Sequence, residues 1–501
     1  MATFPLERFE ATAEAFLKAR TGRAWAFATG AAPGRSLRTL YERDFPDFLS
    51  RDLWDDLADA PIEEPRRKQR LQALLLSAQV EGRTAEAAAR ASRLESSATI
   101  ILEEQREAPW RSAPFRWSRE NAASERHTLE HAWRTTLSGE INPVLERWQD
   151  GLSLAVSDLG LPSWMDAWSA AQSVDLAAVD RLADQTLSLG GDLYGSALGV
   201  YLAQLSLPLD DAWWADLAWA CGAPRIPTPF HDGGVMPVTV RTFRDLGFDI
   251  DEQLQLRLER VDGLQNGAVN LCASIDPPED VRLGLAPRGG WRDSASMLGL
   301  LGEAQAWAHL DPSMPFWERR LGDETTVRAS GLLFEGLVRE RDFLAERLEW
   351  PESHDFRIVA TLAWCARTRR LAAEWQHLRR LWADPAAGGL AADYADGMSA
   401  ALRVRTFPDT RLLMLLDAPR RPLGAASELR AEVFAAHLRR FLRREFDEDW
   451  WRNPRAGRFL LDEVWRPGRR HGAEDLLGFM GSEGLEAGLL WDEQRAVLAA
   501  V

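Results

Sequence analysis

The sequence has few of the residues from which catalytic and metal sites are most often built. Its 501 residues include three cysteines, eight histidines and four tyrosines. Cys221, Cys272 and Cys365 are far apart and form no CxxC pair, which argues against a cysteine-based zinc site and a disulfide framework. Widely spaced thiols are typical of a reducing compartment, and the first residues show no secretory leader. The sequence therefore predicts a cytoplasmic protein.

Motifs for phosphate binding and for nucleophilic catalysis are absent as well. The sequence contains no GxGxxG, no GxxxxGK[ST] and no GxSxG. The net charge of −16 disfavours nucleic-acid binding. The longest weakly polar run, residues 193–209, lies between Asp192 and Asp210 and is short for a membrane span. We therefore expect no cofactor, no nucleic-acid partner and no membrane partner.

Helical periodicity dominates what is present. In stretches such as residues 429–446, apolar residues recur every three or four positions, with arginine and glutamate between them. Residues 254–263, 268–276 and 281–287 instead alternate polar and apolar residues over short lengths, which predicts strands. We therefore predict a mainly α fold with a small β-sheet just before a central helix. The chain is divided into residues 1–240, an N-terminal helical lobe, and residues 241–501, a second lobe with the sheet.

One short stretch matches a metal-binding pattern. "HTLEH" fits HxxEH, which on a helix places His127 and His131 one turn apart on one face with Glu130 beside them. A zinc site also needs a third ligand and an open position for water. The flanking residues are typical of a surface helix, so solvated histidines are the simpler interpretation. A metal site at His127, Glu130 and His131 stays open as an alternative.

The order of features in the second half resembles a known family. Residues 268–298 carry the strands and a Pro/Gly turn; a helix follows, and then come "DPSMPFWERRLGD" (311–323) and "LLFE" (332–335). This arrangement resembles the thimet oligopeptidase and oligoendopeptidase F family of zinc peptidases. Most of the chain takes part, although the resemblance is weaker before about residue 110. The resemblance implies a two-lobed helical fold with a deep central channel and an HExGHxxH helix.

The resemblance also assigns the family's catalytic positions to residues of this chain. The "RRLGD" block places the first zinc histidine at Gly299, the general-base glutamate at Leu300 and the second histidine at Glu303. The third ligand falls on Arg328. Zinc hydrolysis needs a metal to acidify water and a carboxylate to accept its proton. Neither Gly299 nor Leu300 supplies such a group, and Arg328 places a fixed positive charge where a cation would bind.

A second register and the family's transition-state tyrosines lead to the same result. If Glu303 is aligned with the base glutamate, the two histidines fall on Gly302 and Ala306. The tyrosines that stabilise the transition state correspond to Gly424 and Glu428. The resemblance therefore implies a member of this fold that has lost its zinc site.

A positive prediction follows from two of the replaced ligands. Glu303 and Arg328 correspond to groups that would meet at one metal ion, so their side chains are predicted to form an ion pair. Trp307 and His309 are further candidates for the cleft, with His309 at a position that binds no metal.

Three functions remain open from the sequence. The first, which we favour, is a pseudopeptidase: it has no enzymatic activity and binds a peptide or partner protein in the old cleft. The second is a metal-dependent hydrolase that uses His127, Glu130 and His131. The third is a structural or assembly protein whose cleft is filled by Trp307 and the ion pair.

Overall fold

Helices form most of this computed structural model. It describes residues 4–30, 37–102, 106–230, 235–261, 270–286, 289–417 and 421–499. The helices of the first half are α1 Leu6–Ala28, α2 Leu37–Thr39, α3 Arg51–Asp59, α4 Pro65–Arg83, α5 Ala85–Ser97, α6 Ala113–Trp117, α7 Ala123–Thr136, α8 Asn142–Asp158, α9 Trp164–Gln172, α10 Leu176–Leu189, α11 Gly191–Gln204 and α12 Trp214–Ala220.

The second half continues with helices and contains the longest one. Its helices are α13 Val235–Asp245, α14 Trp291–Ala308, α15 Phe316–Arg320, α16 Thr325–Glu335, α17 Arg341–Arg347, α18 His354–Ala383, α19 Leu390–Leu402, α20 Gly424–Phe446, α21 Pro454–Phe459, α22 Ala473–Phe479 and α23 Ala487–Leu498. The prediction of a mainly helical fold is confirmed. No helix in the described ranges is both long and apolar enough to cross a membrane.

Helix starts follow local sequence signals. The Ser163 hydroxyl accepts a hydrogen bond from the Asp166 N–H at the start of α9, and the Asp175 carboxylate accepts one from the Ala177 N–H at the start of α10. Each cap satisfies a backbone donor that the first turn leaves unpaired.

Two small sheets complete the fold. A two-stranded sheet pairs β1 Thr99–Ile101 with β2 Glu107–Pro109, and a three-stranded sheet contains β3 Leu256–Arg260, β4 Leu271–Asp276 and β5 Asp280–Leu285. β5 lies in the middle of the larger sheet, parallel to β3 and antiparallel to β4. The strand that leads into α14 is therefore paired on both sides, and the free edges belong to β3 and β4.

The tryptophans fill cores that join the two halves of the chain. One core combines Trp133 of α7 and Trp168 of α9 with Trp375 of α18, and it includes Leu429 of α20. Burying such large rings contributes much of the driving force for packing helices together. This core has members on both sides of residue 240. The division of the chain near that residue remains a prediction.

Three glycines let α14 and α16 approach each other closely. A methyl group at Gly302 would come within 2.7 Å of the Ser330 carbonyl oxygen, and one at Gly331 within 2.9 Å of the Gly299 carbonyl oxygen. Larger residues at these positions would force the helices apart. This close contact sets the distance between the functional side chains that α14 and α16 carry.

Candidate functional site

The side chains of Glu303 on α14 and Arg328 on α16 are in contact. Arg328 Nη1 lies 3.3 Å from Glu303 Oε2. The same guanidinium donates through Nε to both carboxylate oxygens of Glu428 on α20, at 2.9 and 3.0 Å. Arg328 therefore links three helices through two carboxylates. We call Glu303, Arg328, Glu428 and Arg421 the charge cluster.

Arg421 completes the charge cluster just before α20. Its Nη2 donates to Glu428 Oε1 at 2.5 Å, and its Nε lies 3.9 Å from Glu324 Oε2. Burial alone would raise the pKa of Glu428, but Arg328 and Arg421 outweigh it and lower that pKa to about 2. Glu428 is therefore held as a carboxylate between two guanidinium groups.

Glu303 has the opposite electrostatic balance. Burial raises the pKa of its carboxyl group even though Arg328 lies 3.3 Å away. The nearby carboxylates Glu324 and Glu428 add to this upward shift. Arg328 therefore pairs more strongly with Glu428 than with Glu303, in agreement with its shorter distances to the Glu428 oxygens.

A second group of charges lies beside position 299. Arg367 on α18 donates to Glu335, and its Nη2 lies 2.7 Å from Glu432 Oε1. The Trp364 indole N–H donates to the other Glu432 oxygen at 2.6 Å. A methyl group at Gly299 would come 3.2 Å from the Glu335 Cβ, so Glu335 lies against the position assigned to the first histidine.

The other residues assigned by the resemblance lie at the margins of the charge cluster or in the core. Leu300 is half-buried and packs against the main core, and Gly424 lines a cavity beside Glu428.

Trp307 is buried, with the Arg469 guanidinium 4.6 Å from its ring centre. His309 packs against Phe248 and Trp465, and its Nδ1 lies 3.0 Å from the Gln305 carbonyl oxygen.

The "HTLEH" side chains point into different surroundings. His127 Nε2 contacts Asp216 Oδ2 at 2.6 Å, and the His131 side chain is exposed. Glu130 is buried, and one of its oxygens accepts the Ala215 N–H at 2.9 Å. Burial raises the pKa of Glu130 to about 7. The described ranges contain no group of three or more His, Cys, Asp and Glu side chains arranged to hold a metal ion.

The donor chemistry of the charge cluster does not fit a zinc ion. Zinc sites in peptidases use three histidine or carboxylate ligands and leave one position for water. Here two carboxylates meet two guanidinium groups, which are permanently charged and carry no lone pair for a metal. A cation at this place would face Arg328 at short range.

Two adjoining cavities lie along the charged groups, and we call them together the channel. The first has a volume of about 290 Å³ and is lined by Arg421, Gly424 and Glu428, among others. The second has about 420 Å³ and is lined by Glu335 and Arg367, among others. The two cavities share three wall residues, which are Trp214, Arg370 and Leu402. Each is of a size that holds small ligands or a few peptide residues.

The edge strand β4 lies close to the charge cluster. Burial raises the pKa of the Cys272 thiol on this strand, and Glu303 raises it further whereas Arg328 lowers it. These influences place the strand within the electrostatic reach of both side chains. A sheet edge of this kind offers backbone groups to an extended chain.

The sequence assignments included Glu428 as a replaced tyrosine but gave it no partner. The same reasoning that paired Glu303 with Arg328 could have included Glu428, because all three positions surround one metal site in the resembled family. Arg421, Arg367 and Glu335 were not singled out. Their spacing in the sequence carries no signal, since they come from three separate elements.

Comparison with solved structures finds the same fold in peptidases. A structure described as an oligoendopeptidase F of Bacillus anthracis str. Ames has a TM-score of 0.66 and 12% identity, covering 93% of this chain and 85% of that chain. A second oligoendopeptidase F structure gives 0.63 and 13%, covering 90% and 83%. PZ peptidase A with an inhibitor gives 0.64 and 12%, covering 93% and 86%.

No protein-family description matches the chain, and no curated protein matches it by sequence. At 12–13% identity, the structural likeness establishes the fold alone. The chain has an oligoendopeptidase F-like fold, as the sequence resemblance implied.

Proposed function

We propose that this chain, with its oligoendopeptidase F-like fold, is a non-catalytic peptidase homologue that binds an extended peptide segment in its channel. The observation that carries the proposal is the Arg328 guanidinium shared between Glu303 and Glu428. By the resemblance, Glu303 and Arg328 correspond to two zinc ligands and Glu428 to a transition-state tyrosine.

Loss of peptide hydrolysis follows from the chemistry of these side chains. A zinc peptidase polarises the scissile carbonyl with its metal and activates water with a carboxylate. Leu300 has no proton-accepting group, Gly299 has no side chain, and Arg328 repels a cation. The carboxylates around these positions are engaged by guanidinium groups, Glu303 and Glu428 by Arg328 and Glu335 by Arg367.

Peptide binding is supported by the channel and by the edge strand. Main-chain pairing with a free strand edge does not depend on a metal. β4 is an edge strand within the electrostatic reach of Glu303 and Arg328, and the 290 Å³ cavity is lined by Arg421 and Glu428. The strand edge and the cavities are therefore two separate features that a bound peptide segment could use.

The two alternatives are less well supported. A structural protein with a filled cleft agrees with the Glu303–Arg328 contact and the buried Trp307, but cavities of about 290 and 420 Å³ remain beside Glu428 and Glu335. A metal-dependent hydrolase at His127, Glu130 and His131 is less well supported, since those side chains face different partners.

Three measurements on the purified full chain test the proposal. Zinc content is measured after equilibration with zinc, and cleavage of a mixture of fluorogenic peptides is followed with and without a chelator. We expect sub-stoichiometric zinc and no chelator-sensitive cleavage; stoichiometric zinc with chelator-sensitive cleavage would overturn the proposal. Binding is measured by fluorescence anisotropy of the same peptides, labelled and uncleaved. Failure of every peptide to bind would overturn the binding half of the proposal.

A further inference from the structure

The wall of the 420 Å³ cavity has an excess of positive charge. Four arginines line it, together with a single glutamate, Glu335. The four arginines are Arg292, Arg339, Arg367 and Arg370. Charges in a cavity wall are usually balanced by partners, because an uncompensated buried charge is costly. The partners of each arginine therefore show where the excess lies.

Two of the four arginines are neutralised within the structure. Arg367 contacts both Glu335 and Glu432, and Arg370 donates to Glu374 one turn further along α18. These two guanidinium groups therefore already have carboxylate partners.

The other two arginines have no carboxylate partner among the described residues. Arg339 lies over the Trp364 ring, 3.6 Å from its centre, and within the described ranges its guanidinium makes neither a hydrogen bond nor an ion pair. Burial, together with the like charge of Arg439, lowers the pKa of Arg339 to about 10, although Glu493, Glu340 and Glu432 act in the opposite direction from beyond ion-pair distance. Arg292 is exposed at the mouth of the cavity, donates to the Ala218 carbonyl oxygen at 3.3 Å and lies near the Trp291 ring.

We infer that the 420 Å³ cavity is a carboxylate-binding pocket, in which Arg339 and Arg292 hold the C-terminal carboxylate of a bound peptide. A guanidinium group stacked on an aromatic ring is held in place, so its remaining donors are available at little entropic cost. A carboxylate would supply the charge-assisted hydrogen bonds that the protein itself does not provide.

The remaining walls of the pocket favour a peptide terminus over an inorganic anion. They are apolar and aromatic, with contributions from Leu217, Trp291, Val338, Ala363 and Leu402. The first turn of α14 also lines this wall through Trp291, Arg292 and Ala295, and a helix N-terminus favours any anion. The apolar walls therefore distinguish a peptide terminus from inorganic phosphate, which the experiment below compares directly. An apolar side chain next to a carboxylate matches both parts of the pocket.

The pocket also has the right position for the end of a peptide. It adjoins the 290 Å³ cavity, with Trp214, Arg370 and Leu402 in the walls of both. A peptide that passes the charge cluster would therefore reach the Arg339 guanidinium with its terminus. This inference rests on the proposed peptide binding in the channel and assigns a chemical specificity to it.

The test compares two forms of one peptide by titration calorimetry. The probe is N-acetyl-Ala-Leu-Phe-Leu, used once with a free C-terminal carboxylate and once as the C-terminal amide. We expect the acid to bind at least about tenfold more tightly than the amide, because two charge-assisted hydrogen bonds are lost with the amide. Arg339→Met and Arg292→Met are each expected to reduce this preference, and both together to abolish it.

Arg341→Met is the matched control, since Arg341 is exposed on the neighbouring helix α17. It should keep the acid preference of the wild-type chain. The Met variants should fold, because each keeps the apolar stem and removes an unpaired charge. Circular dichroism checks this, and the acid-to-amide ratio of the wild-type chain tests the pocket without any variant.

The outcomes separate the pocket from the proposed function. Equal binding of acid and amide overturns the carboxylate pocket while channel binding stands. If neither peptide binds, 3-phenylpropionate is titrated as a small carboxylate probe. Binding to wild type and not to Arg339→Met supports the pocket although the proposed peptide binding fails, and no binding overturns both. Inorganic phosphate that binds more tightly than 3-phenylpropionate also contradicts the carboxylate assignment.

Discussion

Arg328 Nε lies 2.9 and 3.0 Å from the two carboxylate oxygens of Glu428, so that a single N–H of a residue on α16 is shared by both oxygens of a residue on α20. Glu303 of α14 occupies another donor of the same guanidinium. Three helices are therefore joined by a single side chain beside the 290 Å³ cavity, which Glu428 lines. This arrangement makes Arg328 the residue whose loss should be felt most.

Replacing Arg328 with Met is expected to destabilise the protein by about 2–4 kcal/mol, because the largely buried Glu303 loses its guanidinium partner and Glu428 keeps only Arg421. Urea unfolding followed by tryptophan fluorescence measures the change. Arg458→Met is the matched control, since its ion pair with Asp462 is on the surface and 83% of the Arg458 side chain is exposed. Similar losses in the two variants would contradict a special role for Arg328.

Acid should weaken the contact between α16 and α20. The pKa of Glu428 is lowered from 4.5 to about 2, so its contribution is fully present above pH 4.5 and is lost as pH falls toward 2. The Glu428→Gln variant should be less stable than wild type at pH 7, and the gap should close below about pH 2. Thermal unfolding between pH 2 and 7 measures the gap. A gap that is constant over this range would show that Glu428 is not paired in this way.

Glu130 should give a pH dependence of the opposite sign. Burial raises its pKa from 4.5 to about 7, so the folded state binds a proton that the unfolded state releases. Its effect on stability therefore becomes less favourable as pH rises from 4.5 to 7 and is constant beyond that window. The Glu130→Gln variant should lack this slope while its amide oxygen keeps the bond from the Ala215 N–H. Denaturant unfolding at several pH values from 4.5 to 8 gives the free energy of unfolding of both proteins. The same pH dependence in wild type and variant would refute the prediction.

The α14–α16 contact should not tolerate a methyl group at Gly302. There it would lie 2.5 Å from Phe334 Cδ2 and 2.7 Å from the Ser330 carbonyl oxygen. Gly302→Ala is expected to cost about 1–3 kcal/mol by overpacking. Gly22→Ala on α1 is the matched control, since nothing lies within 4 Å of its added methyl group, and it should stabilise by up to about 1 kcal/mol. Equal effects in denaturant unfolding would rule out the packing argument.

The positions of the strands could be predicted from the sequence, but the pairing between the strands could not. Alternation predicted strands at 254–263, 268–276 and 281–287, close to the observed β3, β4 and β5. The placement of β5 in the middle could not be predicted, because parallel pairing of β3 with β5 depends on how the chain crosses over the sheet.

The same limit applies to the charge cluster. Glu303 and Arg328 could be related through the resemblance, which fixes how two facing helices contribute to one place. Arg421 precedes α20 by a short loop, and its contact with Glu428 depends on the path of that loop. His309 illustrates the converse, since its place in the helix suggested the cleft but its ring packs in the core between Phe248 and Trp465.

The close contact at Gly299 restricts which substitutions are possible at this position. A methyl group there would lie 3.3 Å from the Gly331 carbonyl oxygen and 3.2 Å from the Glu335 Cβ, so an imidazole needs space that α16 now occupies. A metal ligand cannot be introduced at this position by one substitution unless residues on the opposite helix change with it. The present arrangement is therefore hard to reverse one residue at a time, and random mutagenesis that selects for zinc-dependent hydrolysis should recover paired changes on both helices.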